Sequence, residues 1–269
     1  MNTTLRCKPE DIVAGPPSPR LLITGGCGKI GATFASFAAP TYTIRIVDRA
    51  PWDAARLGPP PGESLILDLQ DLAACRQACA GMDFVLHLAA DASPEADFTT
   101  SLLPNNIIAT ANMFRAARDA GCRRFIFASS AHVVSAYPPD VQIHAAMPVR
   151  PGNLYGVSKA FGEALAAHFA FNEGLPTIAL RIGAYVLPEE LATWDAPDEL
   201  NAFLSAADLN ALLLKCLETP DITFAIAHAI SNNRFKRLDL TETRALLGYE
   251  PQADAFDLFG AFPSHRLKP

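Results

Sequence analysis

A glycine-rich segment near the N-terminus constrains the fold of this chain more than any other feature. Thr24–Gly31 has the sequence TGGCGKIG and lies between a short apolar run, Leu21–Ile23, and an amphipathic stretch. A turn of this type between a strand and a helix gathers backbone N–H groups at the helix N-terminus, where they bind phosphate oxygens. We expect Gly25 to form the tight turn, Gly28 to admit a pyrophosphate close to the backbone, and Gly31 to let the helix pack closely on the strand.

Short apolar runs alternate with longer amphipathic stretches over most of the chain. The runs have the length and composition of buried strands, and the stretches have the period and length of helices. This alternation predicts an α/β fold with a Rossmann-like, doubly wound parallel sheet. The predicted strands are Leu21–Ile23, Ile44–Val47, Leu65–Leu67, Phe84–Leu88, Phe125–Ala128 and Thr177–Arg181, and the predicted helices are Ile30–Ala39, Leu72–Cys79, Asn106–Ala120 and Tyr155–Phe171.

The two ends of the chain depart from this alternation. Prolines crowd residues 9–19, and proline suits neither a helix interior nor a strand ladder, so residues 1–18 are predicted to be a disordered tail. After Arg181, a loop rich in proline and acidic residues precedes a predicted helix near 207–218, a strand near 223–230 and a short helix near 240–247. We expect residues 19–269 to form one domain, with residues 185–269 as a small substrate lobe over the carboxyl edge of the sheet.

Composition and charge exclude several classes of function. The net charge of −6 comes without the clustered lysines and arginines that bind nucleic acid. No stretch reaches the roughly 18 apolar residues of a membrane span, so we expect a cytoplasmic protein that does not enter membranes. The six cysteines lack the Cys-x-x-Cys spacing of zinc sites, which favours reduced thiols and no bound metal.

A carboxylate at the end of the second predicted strand indicates the cofactor. Asp48 follows Gly31 by 17 residues, where it can accept both ribose hydroxyls of NAD and repel the 2′-phosphate of NADP. Arg49 would weaken that repulsion, but we expect NAD in preference to NADP. The predicted cofactor contacts are Gly25, Gly28, Lys29, Ile30, Gly31 and Asp48, joined by Asp68, Leu69 and Ala89, each of which is equally explained as part of a strand-end turn.

Tyr155 and Lys159 stand four residues apart and lie on one face if their segment is helical. A phenol with a pKa near 10 is a poor base at neutral pH, and an adjacent ammonium favours the phenolate; a decrease of about 3 pKa units requires about 4 kcal/mol. Ser130 closes the fifth predicted strand and can orient the same oxygen. Tyr-x-x-x-Lys is common on helix surfaces, but downstream of a dinucleotide loop it predicts proton removal from an alcohol as hydride leaves the carbon.

Taken together, these motifs resemble the extended short-chain dehydrogenase/reductase family of NAD-linked epimerases, dehydratases and dehydrogenases. The resemblance covers nearly the whole chain from Leu21 and is carried by TGGCGKIG, Asp48, HLAA at 87–90, the serine pair at 129–130 and YGVSK at 155–159. A closer resemblance to uronate dehydrogenases is carried by NNIIATANMFRAA at 105–117, FASSAHVVSAYP at 127–138, RPGNLYGVSKAFGEALA at 150–166, LRIG at 180–183, ISNN at 230–233 and LGYEPQ at 247–252.

This resemblance implies a reaction and a set of roles. Enzymes of that group use NAD to oxidise C1 of a hexuronic acid, galacturonate or glucuronate, to a lactone. Tyr155 would be the base, Lys159 would adjust its pKa and hold the nicotinamide ribose, and Ser130 would orient the C1 oxygen. Asn106 would hold the active-site backbone.

The resemblance also implies a set of contacts to the sugar: Ser93, Ser130, His132 and Arg181. Arg181 would pair with the substrate carboxylate, because a guanidinium offers a planar fork that matches two oxygens. Without the resemblance, a salt bridge at the strand end explains Arg181 equally well. The chain has Ala131 where uronate dehydrogenases carry asparagine, so one amide contact is missing and the pocket is open to a different sugar acid.

Two other functions stay open on the sequence. A nucleotide-sugar epimerase or dehydratase would use the same tyrosine, lysine and NAD, although the chain after Arg181 is short for a lobe that binds a nucleotide diphosphate. A protein that binds the dinucleotide without turnover would often lack the tyrosine or the lysine. We also expect a homo-oligomer, a dimer or larger, because related folds pair through the helices predicted at 106–120 and 155–171.

Overall fold

Nine strands are found in the computed structural model, which describes residues 18–259. They are β1 (Arg20–Thr24), β2 (Thr43–Asp48), β3 (Glu63–Ile66), β4 (Phe84–His87), β5 (Arg124–Ser130), β6 (Thr177–Ile182), β7 (Ala184–Val186), β8 (Phe203–Ser205) and β9 (Phe224–Ala229). Seven of them form one parallel sheet in the order β3-β2-β1-β4-β5-β6-β9, and β7 pairs with β8 in a small parallel sheet. This order confirms the predicted Rossmann-like fold class. Apart from Ser18, the predicted tail lies outside the described residues.

Helices cover both faces of the sheet. They are α1 (Lys29–Ala38), α2 (Ala54–Leu57), α3 (Leu72–Cys79), α4 (Ala109–Asp119), α5 (Leu154–Asn172), α6 (Ala206–Glu218), α7 (Thr241–Leu247) and α8 (Ala255–Leu258), with short 3-10 turns at Ala131–Val134, Pro188–Glu190 and Pro197–Ala202. The strands and helices predicted before residue 182 are all present, and apart from the start of α4 their ends differ by no more than two residues.

Side chains of the central strands alternate between the two helical layers. Leu21 and Ile23 pack with α1 and α6 in one buried cluster, whereas Leu22 packs with α3, α4 and α5 in the other. Strands buried on both faces are expected to read as continuous apolar runs rather than alternating ones, which is why the sequence pattern identified them.

The helix predicted at 106–120 begins earlier than expected. Phe98–Ile108 forms a π-helix that leads directly into α4, with the Asp97 side chain accepting from Thr100 N at its start. Pro104 lies inside this segment, and Ala109 N donates to Pro104 O in the wider π-type pattern. Proline lacks a backbone donor and crowds the preceding turn, so the wider winding accommodates it where a regular α-helix would break.

The C-terminal segment contributes more to the sheet than predicted. β9 lies beside β6 and completes the parallel sheet, and α6 packs against α1 on one face. Within the predicted lobe, the described residues 185–259 therefore lie partly in the central layers. The parts that lie outside the main sheet include the β7–β8 pair and α8, which packs with Phe203 and Leu200 in a separate small cluster.

Strand order reverses between β1 and β4, which are neighbours in the sheet although two strands separate them in sequence. Chain connections leave this point in opposite directions, which opens a crevice beyond the carboxyl ends of the strands. The glycine-rich turn after β1 and the end of β4 both lie at this crevice.

Candidate active site

A cleft of about 730 Å³ lies at this reversal point. The glycine-rich turn, several strand ends and the first turns of α5 line it. Of the predicted site residues, those that line the cleft are Gly25, Gly28, Lys29, Ile30, Gly31, Asp48, Asp68, Leu69, Ala89, Ser130, His132, Tyr155 and Lys159. Ser93 and Arg181 are not among the lining residues.

The glycine-rich turn has the geometry that its sequence predicts. Gly25 has a φ of 67°, and a Cβ built there would lie 2.7 Å from the backbone nitrogen of Ala89. A Cβ at Gly31 would lie 2.5 Å from the carbonyl oxygen of Gly25, so α1 packs directly on the turn. Gly28 caps the N-terminus of α1, which begins at Lys29. These features fit a dinucleotide pyrophosphate, because backbone donors and the positive end of the helix dipole face the cleft without side chains in between.

Asp48 is held in a fixed orientation at the end of β2. Its Oδ2 accepts from Cys27 N at 3.0 Å, and its Oδ1 accepts from Ala50 N at 3.1 Å. Each carboxylate oxygen keeps further acceptor capacity for a ribose hydroxyl. The guanidinium of the neighbouring Arg49 donates to Asn105 Oδ1 at 3.3 Å.

Asp68 serves a local turn as well as lining the cleft. Its Oδ1 accepts from Gln70 N at 2.9 Å in the loop between β3 and α3. Lys29 is paired with Glu190, so an ion pair joins the start of α1 to the 3-10 turn at 188–190. This contact connects the glycine-rich turn with the segment that follows β7.

Ser130, Tyr155 and Lys159 lie together at the inner end of the cleft, and each is at least nine-tenths buried. Tyr155 is the second residue of α5, whose start is fixed by Asn153: the Asn153 Oδ1 accepts from Gly156 N at 2.8 Å. Gly156 allows the helix to approach the turn at 131–134, since a Cβ there would lie 2.3 Å from His132 O. The Lys159 Nζ donates to Ala128 O at 2.7 Å and lies 5.7 Å from the Tyr155 ring centroid.

The pKa of Tyr155 is shifted in the direction opposite to the one predicted. Burial raises the pKa of Tyr155 above its usual value, a hydrogen bond with Ser130 opposes that increase, and the charge of Asp91 adds to it. Burial also lowers the pKa of Lys159 to about 8. The expectation that Lys159 depresses the tyrosine pKa is therefore not met here, because the ammonium is directed at the Ala128 carbonyl and is itself desolvated.

Asn106 connects the loop after β4 to α5. Its amide exchanges hydrogen bonds with both backbone groups of Asp91, at 2.8 and 2.9 Å, and donates to Ser158 Oγ at 2.9 Å. These are the contacts of a residue that holds the active-site backbone, the role that the resemblance implied. Ser93 instead lies on the surface, where its hydroxyl accepts from Glu95 N, so the sugar contact predicted for Ser93 has no support in this structure.

His132 lies beside Tyr155 and faces two cavities. Its ring is edge-on to Tyr155 with centroids 5.5 Å apart, and its Nδ1 lies 2.9 Å from Asn153 Nδ2. A second cavity of about 280 Å³ shares His132 with the main cleft. Burial lowers the pKa of His132, partly opposed by the charge of Glu199, so the ring is neutral near pH 7.

The structure contradicts the role predicted for Arg181. Its side chain is 1% exposed, its Nε and Nη2 each donate to a Glu163 carboxylate oxygen at 2.8 Å, and it does not line the cleft. The Nε–Nη2 edge of the guanidinium is therefore occupied by a carboxylate of the protein itself, and Nη1 donates to Ala145 O at 3.3 Å. The alternative explanation of Arg181, a salt bridge at the strand end, is correct.

Sequence reasoning missed Glu163 as the partner of Arg181. Glu163 follows Lys159 by four residues, which puts it on the same buried face of α5, and its Oε1 also accepts from Ser129 Oγ at 2.7 Å. The four-residue spacing between Lys159 and Glu163 was the sequence feature that could have placed Glu163 on this buried face. Tyr185 was also missed; it lines the cleft from β7, in a segment with no pattern that predicted a strand.

Comparison with known proteins agrees with this geometry. The model of the NAD dependent epimerase/dehydratase family matches residues 21–219. The chain belongs to this family. It is 34% identical over 246 residues to an NAD-dependent glucose-6-phosphate dehydrogenase of Haloferax volcanii, covering 86% of this chain and 92% of the relative. It is 32% identical over 253 residues to an L-arabinose 1-dehydrogenase (NAD(P)(+)) of the same organism, covering 87% and 96%.

A solved structure extends the likeness to the whole fold. The crystal structure of uronate dehydrogenase from Agrobacterium tumefaciens superposes with a TM-score of 0.81 and 31% identity, covering 91% of this chain and 90% of that one. The resemblance predicted from the motifs is thereby confirmed. NAD is the cofactor, and the protein is an NAD-dependent dehydrogenase that acts on CH–OH groups. None of the helices within residues 18–259 has the length and apolar character needed to cross a membrane.

Proposed function

We propose that this protein oxidises the C1 hydroxyl of a cyclic sugar to a lactone with NAD. The observation that carries the proposal is the joint position of Ser130, Tyr155 and Lys159 at the inner end of a cleft whose other end has the glycine-rich turn and Asp48. A base at one end and a dinucleotide cradle at the other fit removal of a proton and a hydride from one carbon centre.

Each residue has a defined part in this reaction. Tyr155 takes the proton of the C1 hydroxyl through its phenol oxygen, and Ser130 holds that hydroxyl by a hydrogen bond. NAD, when bound, supplies the acceptor for the hydride that leaves C1. The C1–O single bond becomes a carbonyl double bond as the C1–H bond breaks. The products are the lactone, NADH and one proton. Lys159 would hold the nicotinamide ribose.

The sugar itself has been predicted from resemblance as galacturonate or glucuronate. The uronate dehydrogenase likeness supports a hexuronic acid, whereas the names of the two Haloferax relatives support a sugar phosphate and a pentose. The common element is oxidation of a sugar, and our proposal is limited to that reaction.

The reaction is tested by incubating the protein with NAD and a panel of aldoses and uronates and following NADH formation. We expect Tyr155→Phe to lower kcat by about 10²- to 10⁴-fold, since that is the usual contribution of a positioned general base. Tyr42→Phe, which alters a buried tyrosine on the α1–β2 side of the core, serves as the matched control.

Calorimetric titration with NAD separates loss of chemistry from loss of binding. NAD affinity should be unchanged in Tyr155→Phe. Full activity in that variant would refute the assignment of the base. NAD binding without net formation of NADH from any free sugar would favour the epimerase or dehydratase function. In those reactions the hydride returns to the substrate.

A further inference from the structure

The guanidinium groups of two arginines close to the substrate end of the cleft are already engaged by the protein. Arg181 is paired with Glu163, as described above. Arg237 lines the second cavity, but its guanidinium donates to the backbone carbonyls of Tyr137, Pro138 and Val141, the first at 2.7 Å. Neither guanidinium presents an open fork to an anionic ligand.

The cations that line the main cleft are engaged elsewhere. They are Lys29, Arg49 and Lys159. Lys29 is paired with Glu190, and Arg49 lies beside Asp48 at the ribose end and donates to Asn105. Lys159 is buried against the Ala128 carbonyl and belongs to the catalytic group. A carboxylate or phosphate on the sugar would have to share these cations with the contacts that they already make.

Three carboxylates lie near the substrate end, outside the lining of the main cleft. Asp198 and Glu199 line the second cavity together with Ala131 and His132. Asp91 lies on the loop after β4, and its ionised form is favoured chiefly by a hydrogen bond from Ser101. The charge of Glu199 acts on His132 and the charge of Asp91 acts on Tyr155, so each of these two side chains has a carboxylate within electrostatic reach.

The polar groups at this end match sugar hydroxyls. Because the Asn153 amide N–H₂ donates to Nδ1 of the neutral His132 ring, the proton of that ring is on Nε2, which can donate to a hydroxyl oxygen. The carboxylates of Asp198 and Glu199 accept, and a hydroxyl donates to them. Ala131 adds no polar group and leaves space between the catalytic turn and the second cavity.

From these contacts we propose that the substrate is an uncharged aldose, and that a uronate or a sugar phosphate is disfavoured by the carboxylates at Asp91, Asp198 and Glu199. This inference rests on the proposed function and names its substrate class. The negative charge of these carboxylates would repel an anionic substituent on approach and in the bound state, whereas a hydroxymethyl group in the same position carries no such penalty.

The test compares sugars that differ only in charge. kcat/KM is measured with NAD for galactose, galacturonate and the methyl ester of galacturonate, and for glucose against glucose 6-phosphate, with L-arabinose as a further neutral sugar. We expect galactose and the methyl ester to exceed galacturonate by at least about tenfold, and added salt to narrow that difference because it screens the repulsion. Equal use of galactose and galacturonate, or a preference for galacturonate or glucose 6-phosphate, would overturn the inference and leave the proposed function intact.

A charge-removing variant tests the cause of the preference. Glu199 is exposed, so Glu199→Gln is expected to fold, and it should raise kcat/KM for galacturonate about two- to tenfold relative to galactose. Glu250→Gln removes another exposed carboxylate, one that lines neither cavity, and should leave the ratio unchanged. An unchanged ratio in Glu199→Gln would overturn the electrostatic argument. No NADH from any sugar, in a protein that binds NAD, would refute the proposed function and this inference with it.

Discussion

Burial shifts the pKa values of Tyr155 and Lys159 in opposite directions. Desolvation disfavours the charged form of each, which raises the pKa of the phenol and lowers that of the ammonium to about 8. The carboxylate of Asp91 strengthens the effect on Tyr155. Tyr155 is therefore protonated at neutral pH, and in the proposed reaction its deprotonated fraction would limit the rate of oxidation.

The pH dependence of oxidation follows from this state of Tyr155. Since the phenolate is the active form in the proposed reaction and its pKa lies above the usual value of about 10, kcat/KM should rise about tenfold per pH unit between about pH 6 and about pH 7, below the range in which Lys159 loses its proton. Initial rates over that range, at saturating NAD, measure the slope. A plateau below pH 7 would contradict a raised pKa of Tyr155 in the enzyme with bound cofactor.

Lys159→Met should reduce kcat/KM by about 10²-fold or more, because it would remove the proposed contact with the nicotinamide ribose. Lys215→Met, on the exposed side of α6, is the matched control and should retain activity. Similar losses in both variants would point to unfolding rather than chemistry, and thermal melting of each variant distinguishes these outcomes.

At the scale of elements, the pair Glu163–Arg181 joins α5 to β6. The helix that presents Tyr155 and Lys159 is thus fixed to the sheet by a bidentate ion pair, and Ser129 of β5 donates to the same carboxylate. Removal of one partner leaves a charge buried without compensation, which typically costs about 3–5 kcal/mol.

Arg181→Met is therefore expected to lower the free energy of unfolding by about 3–5 kcal/mol, measured by urea denaturation. The double variant Arg181→Met/Glu163→Met should recover much of that loss, because no unpaired charge remains. If Arg181 contacted the substrate, the single variant would instead raise KM with little change in stability, and Glu163→Met would not restore it.

At the scale of the whole molecule, two histidines buried in the sheet link its stability to pH. Burial, together with the nearby Lys159 charge, lowers the pKa of His87 to about 3, and burial lowers that of His228 to about 4. In the unfolded chain both titrate near about 6.5. Below that pH the unfolded state binds more protons, so the stabilisation is complete above about 6.5 and is lost as the pH falls toward 4.

We expect the free energy of unfolding to fall by up to about 1.4 kcal/mol per histidine for each pH unit below 6.5. Urea denaturation at pH 7, 6 and 5 measures the slope, and His87→Gln should reduce it by the contribution of one proton. His168→Gln, an exposed histidine of α5, is the control. A free energy of unfolding that stays constant from pH 7 to pH 5 would contradict this expectation.

Exposed apolar side chains on α5, which include Leu154, Val157 and Phe171, agree with pairing through this helix. The homo-oligomer stays a prediction, which size-exclusion chromatography with light scattering can test.

The sequence by itself determined the sheet, the glycine-rich turn and the catalytic group. Continuous apolar runs, glycines at positions of close approach and the Tyr155–Lys159 spacing are local features, and local sterics and periodicity act on them directly. The position of Asp48 after a strand is local in the same sense.

Only the tertiary structure decided which charges are available to a substrate. The sequence contains Arg181 at a strand end but cannot state that Glu163 of another element neutralises it, because both partners meet through packing of α5 on β6. Three other features also depend on contacts between distant parts of the chain. They are the hydrogen bonds of Arg237 to the carbonyls of the 137–141 segment, the place of β9 in the seven-stranded sheet, and the direction in which the Tyr155 pKa is shifted. Burial and electrostatic potential are sums over neighbours that are distant in sequence, and those neighbours exist only in the folded chain.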